Sequence, residues 1–337
     1  MTLVTIDDIS VAAANIAAVA VRTPLLPAAW SAPDRPLLLK PESLQVGGAF
    51  KIRGAYNAIA HIPPADRHRG VVAHSSGNHA QGVATAARAF GIPATIVIPH
   101  GAPEVKVAAT RALGATVVRV PVADRASRAA DIAERDGMTL IPPYDHPDVI
   151  AGQGTIGLEI AADLPAVEVV LVPVSGGGLI SGVAVAIKAL CPGALVIGVE
   201  PTLAADARAS LRSGERVAWS PELTGRTIAD GLRVGGLGEL PWEHIRTLVD
   251  DIVTVSEEQI LDAVRVLAVG SRLVVEPSGA VTVAAHLAGL GPAAAGTVAV
   301  VSGGNIDPVL FSTILARAPT PPPDEVEPDR ATTSTSP

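Results

Sequence analysis

The sequence predicts an α/β protein built from parallel β-sheets with helices packed against them. Short aliphatic runs alternate with helical patterns along most of the 337 residues, and this alternation is typical of parallel sheets with right-handed crossovers. Hydrophobic residues make up 48% of the chain, yet aromatic residues make up only 2%. The core must therefore be aliphatic, which suits strands that are buried on both faces.

The predicted elements follow from the spacing of apolar residues. Before residue 65, these are a helix at 6–21, a strand at 36–40 and a helix at 51–60. Between 70 and 142, they are strands at 71–74, 94–98, 116–120 and 139–141, with helices at 80–90, 105–113 and 124–135. The later elements are strands at 167–174, 195–199, 251–255 and 297–301, with helices at 149–162, 179–190 and 257–268.

Some of these elements carry local signals of their own. The first helix has an alanine-rich face that could pack on its own domain or on a partner subunit. Ser256 and Gln259 have the spacing of a capping box, which marks the start of the helix at 257–268. The strand at 297–301 is expected to complete the later sheet.

The alternating blocks predict two domains. We expect a large domain from residues 1–65 and 146–318, and a smaller one from residues 66–145. Beyond Ala318 the chain is rich in proline and polar residues and cannot bury apolar area. Residues 319–337 are therefore predicted to be a disordered tail.

Charge and hydropathy exclude several classes of function. The net charge of −8 argues against nucleic acid or an anionic membrane surface as a partner. Each apolar run is broken by glycine, proline or charge within about 18 residues, which excludes a spanning helix. Asp7 and Asp8 near the start argue against a signal peptide. We therefore expect a cytoplasmic protein.

Cys191 is the only cysteine in the sequence. No internal disulfide is possible, and a reducing compartment is the simplest inference. No pair of histidines stands near it at metal-ligand spacing, so we interpret it as a small apolar residue of the structure.

Lys51 is the residue around which the candidate chemistry is organised. It follows a glycine-rich turn and Phe50, and it opens a helical pattern. Burial of an ammonium group lowers its pKa, which makes a lysine in such a place a possible amine nucleophile for an aldehyde. The alternative is an exposed lysine at a helix start.

Three further glycine-rich stretches follow apolar runs and lead into helical patterns. They lie at residues 74–82, 175–182 and 301–305. Together with the stretch at 44–55, and in this order, they resemble the fold-type II family of pyridoxal-phosphate (PLP) enzymes. That family includes serine/threonine dehydratases and serine racemase, and the resemblance runs from about Val21 to Asn305. It implies a two-domain, tryptophan synthase β-like fold with PLP as cofactor.

The resemblance implies which residues hold the cofactor. Lys51 would bind its aldehyde covalently and remove the substrate Cα proton, Phe50 would pack against it, and Asn78 would bind the 3′-oxygen. Ser302 would be the partner of the ring nitrogen, and a neutral hydroxyl there favours prompt loss of a β-hydroxyl over transamination. The phosphate site would comprise Ser175, Gly176, Gly177, Gly178 and Leu179. A helix N-terminus with free N–H groups also favours an anion on electrostatic grounds, whereas a plain tight turn is the other interpretation.

The resemblance also places the substrate. Ser75, Ser76, Asn78 and His79 lie where the family binds the substrate carboxylate, although a histidine alone is more often a packed or surface residue. In the resembling racemase, a serine at the position of Ser76 protonates the face of Cα opposite the lysine. Many dehydratases share the same serine, so Ser76 permits racemisation without requiring it.

A metal site is predicted at the end of the strand at 195–199. Glu200 and Asp206 offer hard oxygen ligands that suit Mg²⁺, Ca²⁺ or Mn²⁺, although this spacing alone usually means solvated charge. With the carbonyl of Ala204, they match the divalent-cation site of the racemase-like branch. We expect the role of such an ion to be structural.

The sequence departs from the family pattern at several positions. Gly47 and Ala49 replace two hydroxyl residues of the usual Thr-Gly-Ser-Phe, which puts substrate preference in question, and Ser175 replaces the first of four glycines. The chain ends soon after Asn305, so we expect no regulatory C-terminal domain and no feedback control by isoleucine.

The sequence therefore predicts a PLP-dependent β-eliminating lyase. It would convert L-threonine, L-serine or a related β-hydroxy amino acid to a 2-oxo acid and ammonia. The alternatives are an amino acid racemase, a 3-hydroxyaspartate dehydratase and a PLP-binding protein without turnover. A homodimer is expected from the resemblance alone.

Overall fold

The computed structural model describes residues 2–102 and 104–317, and it confirms the α/β class. The predicted tail at 319–337 lies outside these residues. The strands in chain order are β1 (Leu26–Pro27), β2 (Leu37–Pro41), β3 (Val71–His74), β4 (Ala94–Pro99), β5 (Thr116–Val120), β6 (Thr139–Leu140), β7 (Val169–Pro173), β8 (Leu195–Pro201), β9 (Asp251–Val255) and β10 (Thr297–Val301).

Helices cover both sheets. They are α1 (Ile6–Ile16), α2 (Lys51–Ala60), α3 (Asn78–Phe90), α4 (Glu104–Ala112), α5 (Arg125–Asp136), α6 (Pro147–Asp163), α7 (Gly178–Leu190), α8 (Asp206–Ser213), α9 (Pro221–Thr224), α10 (Glu239–Leu248), α11 (Glu257–Gly270), α12 (Pro277–Leu287) and α13 (Pro308–Ala316). The capping box predicted at the start of α11 is present, with Ser256 and Gln259 bonded to each other's backbone N–H.

The strands form two separate, mostly parallel sheets. The four-stranded sheet has the order β5-β4-β3-β6, and the six-stranded sheet has the order β1-β2-β10-β7-β8-β9. Among the strands of residues 2–102 and 104–317, the pair β1–β2 alone is antiparallel. The last strand, β10, lies in the middle of its sheet, between β2 and β7.

The six-stranded sheet is buried on both faces. Along β10, Ala299 and Val301 belong to one aliphatic cluster while Val298 and Val300 belong to another, as expected for side chains that alternate along a strand. Helices α11 and α12 contribute to the first cluster, and α6 and α7 to the second. The aliphatic composition is thus explained by a sheet packed between two helical layers.

Helix α1 ends at Ile16, five residues before the predicted end at 21. The reason lies at Val21, whose backbone is held by side chains from elsewhere. The Val21 N–H donates to Gln45 Oε1 at 2.7 Å, and its carbonyl accepts from Gln45 Nε2 at 2.8 Å and from Arg53 Nη2 at 3.1 Å. The alanine-rich face of α1 packs on its own chain, where Ile9 and Ala12 meet residues of α6 and α7.

Helix α2, which begins at Lys51, packs closely against α6. A Cβ atom placed on Gly152 of α6 would lie 2.5 Å from the Cα of Gly54, a distance that real side chains do not reach. Glycine at this crossing therefore lets the two helix backbones approach. This contact fixes the position of α2 relative to the six-stranded sheet.

A buried ionic cluster anchors the same helix. Arg53 is fully buried and donates to both oxygens of Glu42 at 2.8 Å and to Glu159 Oε1 at 2.7 Å. Lys40, also fully buried, donates to Glu159 Oε2 at 2.6 Å and to the carbonyl of Thr23 at 2.5 Å. Burial opposes the charge on Glu42, but Arg53 outweighs it and holds the pKa of Glu42 below its ordinary value. The cluster joins β2, α2 and α6.

We predict that Arg53→Met lowers the free energy of unfolding by about 3–5 kcal/mol, because it leaves buried carboxylates without their partner. The measurement is urea-induced unfolding of the cofactor-free protein. The matched control is Arg22→Met, which removes an exposed pair with Asp163 and should cost less than about 1 kcal/mol. Equal losses in the two variants would contradict this view of the cluster.

Candidate active site

Three adjacent parallel strands end at the same edge of the six-stranded sheet. These strands, β2, β10 and β7, are neighbours in the sheet order, and the glycine-rich stretches predicted from the sequence follow each of them. Loops at the carboxyl ends of parallel strands converge on one crevice, where such sheets bind ligands. The topology therefore brings three of the four stretches together.

The turn before Lys51 is tied to the loop after β10. Ala49 forms an isolated antiparallel bridge with Gly303, and the N–H of Phe50 donates to the carbonyl of Ser302 at 3.1 Å. Gly47 and Gly48 have φ values of 77° and 72°, which non-glycine residues adopt only with strain. Glycine at position 47, where the family has threonine, is thus suited to the local backbone.

Lys51 lies half-buried at the start of α2. Its Nζ donates to the carbonyl of Pro143 at 2.6 Å and lies 5.0 Å from the centroid of the Phe50 ring. Burial lowers the pKa of Lys51 to about 8. A substantial fraction of the amine is then neutral near physiological pH, which is the form that attacks an aldehyde.

The loop after β7 forms a cradle at the N-terminus of α7. Gly177 precedes this 13-residue helix with a φ of 92°, and the first N–H groups of a helix have no partner within it. A Cβ atom on Gly176 would lie 2.4 Å from the ring of Tyr144, so only glycine fits beneath that ring. Ser175 Oγ accepts from the N–H of Val234 at 3.3 Å. The donors and the helix dipole suit a phosphate.

The fourth stretch connects β3 to α3, in the unit formed by the four-stranded sheet. Ser75 Oγ accepts from the N–H of Gly77 at 3.2 Å, and Ser76 is half-buried in the same turn. His79 is buried, and its Nε2 contacts the carbonyl of Ile141 at 2.8 Å. Burial and the nearby Lys51 lower the pKa of His79 to about 3. The neutral ring donates to Ile141, so the donors that remain for an anion here are the N–H groups of the first helical turn and the hydroxyls of Ser75 and Ser76.

Asn78 reaches from this turn to the six-stranded sheet. Its Nδ2 donates to Glu276 Oε1 at 2.6 Å, and its Oδ1 accepts from Asn305 Nδ2 at 2.9 Å. Ser302, which is 4% exposed, donates to the carbonyl of Ser278 at 3.4 Å. The residues expected to contact the 3′-oxygen and the ring nitrogen therefore belong to one connected region around the loop after β10.

The sequence did not single out Glu276 or Tyr144. Glu276 is the one acidic residue in the apolar run before α12. A single charge in such a run is the sequence feature that could have marked it as a site residue. Burial and the charge of Asp230 raise the pKa of Glu276 to about 7. Tyr144 is one of two tyrosines in the chain and follows two prolines.

The predicted metal ligands lie at the same edge, with Glu200 near the end of β8 and Asp206 at the start of α8. Glu200 accepts from the N–H groups of Ala207 at 3.1 Å and Arg208 at 2.8 Å, at the start of α8. Asp206 is 1% exposed, and neither of its side-chain oxygens has a hydrogen-bond partner among the described residues. Burial raises the pKa of Asp206 to about 7, while burial together with Asp206 raises the pKa of Glu200 well above its ordinary value.

No group of three or more His, Cys, Asp or Glu side chains within residues 2–102 and 104–317 could hold a metal ion. None of the helices described here combines the length and the apolar character needed to cross a membrane. Cys191 is buried with its Sγ 3.6 Å from the carbonyl of Pro165, in agreement with a structural role.

A cavity of about 590 Å³ is lined by the segment 142–145, to which Lys51 donates, although Lys51 itself is not part of its wall. Its walls include Pro143, whose carbonyl accepts from the lysine, together with Tyr144, which covers the glycine cradle. His74 and Arg216 line it as well. The cavity has the size of a small-molecule site.

Comparison with known proteins identifies the family. The family model described as pyridoxal-phosphate dependent enzyme matches residues 16–303. The chain belongs to this family. Its cofactor is therefore PLP, as the sequence resemblance implied.

Relatives in this family carry several activities. L-threonine ammonia-lyase of Thermotoga maritima is 51% identical over 83% of this chain and 69% of its own length. L-threo-3-hydroxyaspartate ammonia-lyase of Saccharomyces cerevisiae is 42% identical over 83% of this chain and 86% of its own. The structure of maize serine racemase superposes with a TM-score of 0.85 at 38% identity, covering 93% of this chain and 97% of that one. These comparisons also establish the fold-type II architecture.

The groups gathered at this edge fit PLP. A desolvated amine suits its aldehyde, a glycine cradle at a helix N-terminus suits its phosphate, the buried hydroxyl of Ser302 suits its ring nitrogen, and the amide of Asn78 suits its 3′-oxygen. Each is a group that the cofactor needs.

We predict that borohydride reduction traps PLP on Lys51 and that no trapping occurs in Lys51→Ala. Because the pKa of Lys51 is lowered to about 8, the initial rate of cofactor attachment should rise with pH and level off above about 8. A lysine with the ordinary pKa near 10.4 would show a rate still rising there. Peptide mass spectrometry of the reduced protein identifies the modified residue.

Proposed function

We propose that this protein is a PLP-dependent dehydratase that converts L-threonine, L-serine or a related β-hydroxy amino acid to a 2-oxo acid and ammonia. The observation that carries the proposal is the 51% identity to an L-threonine ammonia-lyase, in a chain whose Lys51 amine has a pKa of about 8. Fold alone would not decide the reaction, because one fold hosts many chemistries.

The proposed roles follow from the groups at the site. When bound, PLP supplies an electron-accepting ring that acidifies the Cα–H bond of the substrate. Lys51 holds the cofactor and then takes the Cα proton on Nζ. Ser75, Ser76 and the first-turn N–H groups of Asn78 and His79 bind the substrate carboxylate.

The remaining residues hold the cofactor. The loop 175–178 and Leu179 take the phosphate, Phe50 packs against the ring, and Asn78 donates to the 3′-oxygen. Ser302 meets the ring nitrogen with a neutral hydroxyl, which does not force protonation there. A ring without that proton stabilises the negative charge from Cα less well. This favours prompt loss of the β-hydroxyl over transamination.

We also propose the domain boundaries 1–65 with 146–318 and 66–145. They are supported by the strands of the four-stranded sheet, which all lie between Val71 and Leu140. The crevice between the two units would then contain Lys51 on one side and the turn before α3 on the other. A homodimer and a cytoplasmic location remain predictions from the sequence.

A second candidate is dehydration of a 3-hydroxyaspartate, which has an additional carboxylate. Arg216 lines the cavity. The positive charges of Arg125 and Arg216 both favour a lower pKa of Tyr144, although burial and Asp145 raise it overall. A cation at that mouth is the feature that such a substrate requires. The yeast relative named for this substrate is 42% identical.

A third candidate is racemisation. It requires a proton donor on the face of Cα opposite Lys51, and Ser76 is the residue proposed for that role. The remaining alternative is a PLP-binding protein without turnover, which is suggested by Gly47 and Ala49 in place of hydroxyl residues. The backbone conformation at Gly47 suits glycine, so this residue alone does not favour that alternative.

We predict that purified enzyme with PLP forms 2-oxo acid from L-threonine or L-serine. The assay measures 2-oxo acid, ammonia and D-amino acid for L-threonine, L-serine and L-threo-3-hydroxyaspartate in parallel. Lys51→Ala should lose at least about 10³-fold in kcat, because both the tether and the base are removed. Formation of D-serine from L-serine without pyruvate would reject the dehydratase. Arg216→Met should lower the rate with L-threo-3-hydroxyaspartate only.

We further propose that Glu200, Asp206 and the carbonyl of Ala204 bind a divalent cation, with Mg²⁺, Ca²⁺ and Mn²⁺ as candidates. The support is the pair of buried Asp206 oxygens without hydrogen-bond partners among the described residues. A buried carboxylate without a partner is costly unless it is protonated or meets a cation. Two carboxylates and a carbonyl provide hard oxygen ligands.

We predict that millimolar Mg²⁺ or Ca²⁺ raises the thermal unfolding temperature of the wild type by several degrees, because an ion that binds only the folded state stabilises it. Asp206→Asn should lose this shift. Asp136→Asn, on the exposed end of α5, should keep it. A shift that persists in Asp206→Asn would place the ion elsewhere.

A further inference from the structure

The side-chain amide of Asn78 is held at both ends by residues of the six-stranded unit, Glu276 before α12 and Asn305 in the loop after β10. Its Nδ2 donates to Glu276 Oε1 at 2.6 Å, which uses one of its two N–H bonds. Its Oδ1 accepts from Asn305 Nδ2 at 2.9 Å. One N–H of Asn78 is then left for a further acceptor.

Asn305 is itself fixed in one orientation. Its Nδ2 donates to the carbonyl of Gly47 at 2.8 Å as well as to Asn78. A backbone carbonyl can only accept, so the amide of Asn305 must present its nitrogen to Gly47. That nitrogen then supplies the second N–H to Asn78 Oδ1. The orientation of Asn78 is thereby set from the turn that precedes Lys51.

Glu276 sets the same orientation independently. An ionised carboxylate accepts hydrogen bonds and donates none, so it selects the nitrogen end of the Asn78 amide. A rotated amide would place Oδ1 against the carboxylate and Nδ2 against the N–H of Asn305. Both contacts would be repulsive.

We propose that Glu276 and Asn305 are positioning residues that fix the Asn78 amide so that its remaining N–H faces the 3′-oxygen of the cofactor. This inference rests on the role proposed above for Asn78. The lysine turn and Asn78, which address neighbouring substituents of the cofactor ring, are joined through Gly47 and Asn305. The arrangement also links the turn before α3 to the six-stranded sheet by two hydrogen bonds.

The two positioning residues differ in their response to pH. Glu276 is 3% exposed, and burial and Asp230 raise its pKa to about 7, against the opposing effects of Asn78 and Lys106. Asp230 itself forms an ion pair with Lys106 of α4. Below pH 7 the protonated Glu276 can donate, so it no longer excludes the rotated amide. Asn305 has no such titration and fixes Asn78 throughout.

The test is the absorbance spectrum of the PLP-loaded enzyme without substrate. Its two cofactor bands report whether the 3′-oxygen is ionised or protonated. Asn305→Leu should match the wild type at pH 8.5, where ionised Glu276 fixes the amide. At pH 6 its ratio of ionised to protonated band should fall about tenfold relative to the wild type, the equivalent of one hydrogen bond to a charged oxygen.

Further variants separate the two residues. Glu276→Gln should keep the wild-type ratio at both pH values, because Asn305 still acts. Adding Glu276→Gln to Asn305→Leu should lower the ratio at both. If Asn305→Leu does not fold, Asn305→Ala, which removes the same donor without adding a charge, replaces it, and thermal unfolding verifies that each variant is folded.

The chain offers a matched control. Asn15 Nδ2 donates to Asn57 Oδ1 at 2.9 Å, so Asn15→Leu removes an equivalent amide pair away from the site and should leave the spectrum unchanged. The proposal is overturned if Asn305→Leu has the wild-type band ratio at pH 6, or if its band ratio falls equally at pH 6 and pH 8.5. Absence of a covalent cofactor band in the wild type would instead contradict the proposed function.

Discussion

The pairing of buried Arg53 with Glu42 and Glu159 is the interaction on which the geometry of this protein depends. It lies two residues beyond Lys51 on the same helix, where α2 meets β2 and α6. Buried charges tolerate little displacement, since a lost partner leaves an uncompensated ion. The cluster therefore sets where α2 begins, and the beginning of α2 sets where the reactive amine stands. Catalytic position here is a consequence of packing within the six-stranded unit.

From that fixed helix, the site is assembled by strand order. Strands β2, β10 and β7 carry their loops to one edge, so Lys51, Ser302 and the glycine-rich loop 175–178 meet although their positions in the chain are far apart. The fourth contribution, the turn before α3, comes from the other sheet. Asn78 crosses between them at the site, held by Glu276 and Asn305. A change in the relation of the two sheets would therefore alter the hydrogen bonds of Asn78 to Glu276 and Asn305.

Much of this could be predicted from the sequence, because strongly periodic segments and glycine-rich turns are local signals. Strands such as β3, β5, β9 and β10 have the predicted bounds. Helix α12 was missed because its residues are buried all round, from Pro277 to His286, and such a helix has no polar face to give it a period. The early end of α1 could not be predicted either, since it depends on side-chain contacts from Gln45 and Arg53 to Val21. Glu276 was overlooked for a related reason: its partner, Asn78, is distant in the chain.

The central place of β10 has a consequence for biosynthesis. Its neighbours in the sheet, β2 and β7, stay unpaired on their facing edges until residues 297–301 have left the ribosome, so the six-stranded core and its crevice are completed only after that. The four-stranded unit is continuous in the chain and can form much earlier, as domains generally fold as units during synthesis. Until β10 arrives, the facing edges of β2 and β7 present unpaired backbone groups, which are prone to aggregation. This enzyme should therefore depend more on chaperones before β10 is synthesised than afterwards.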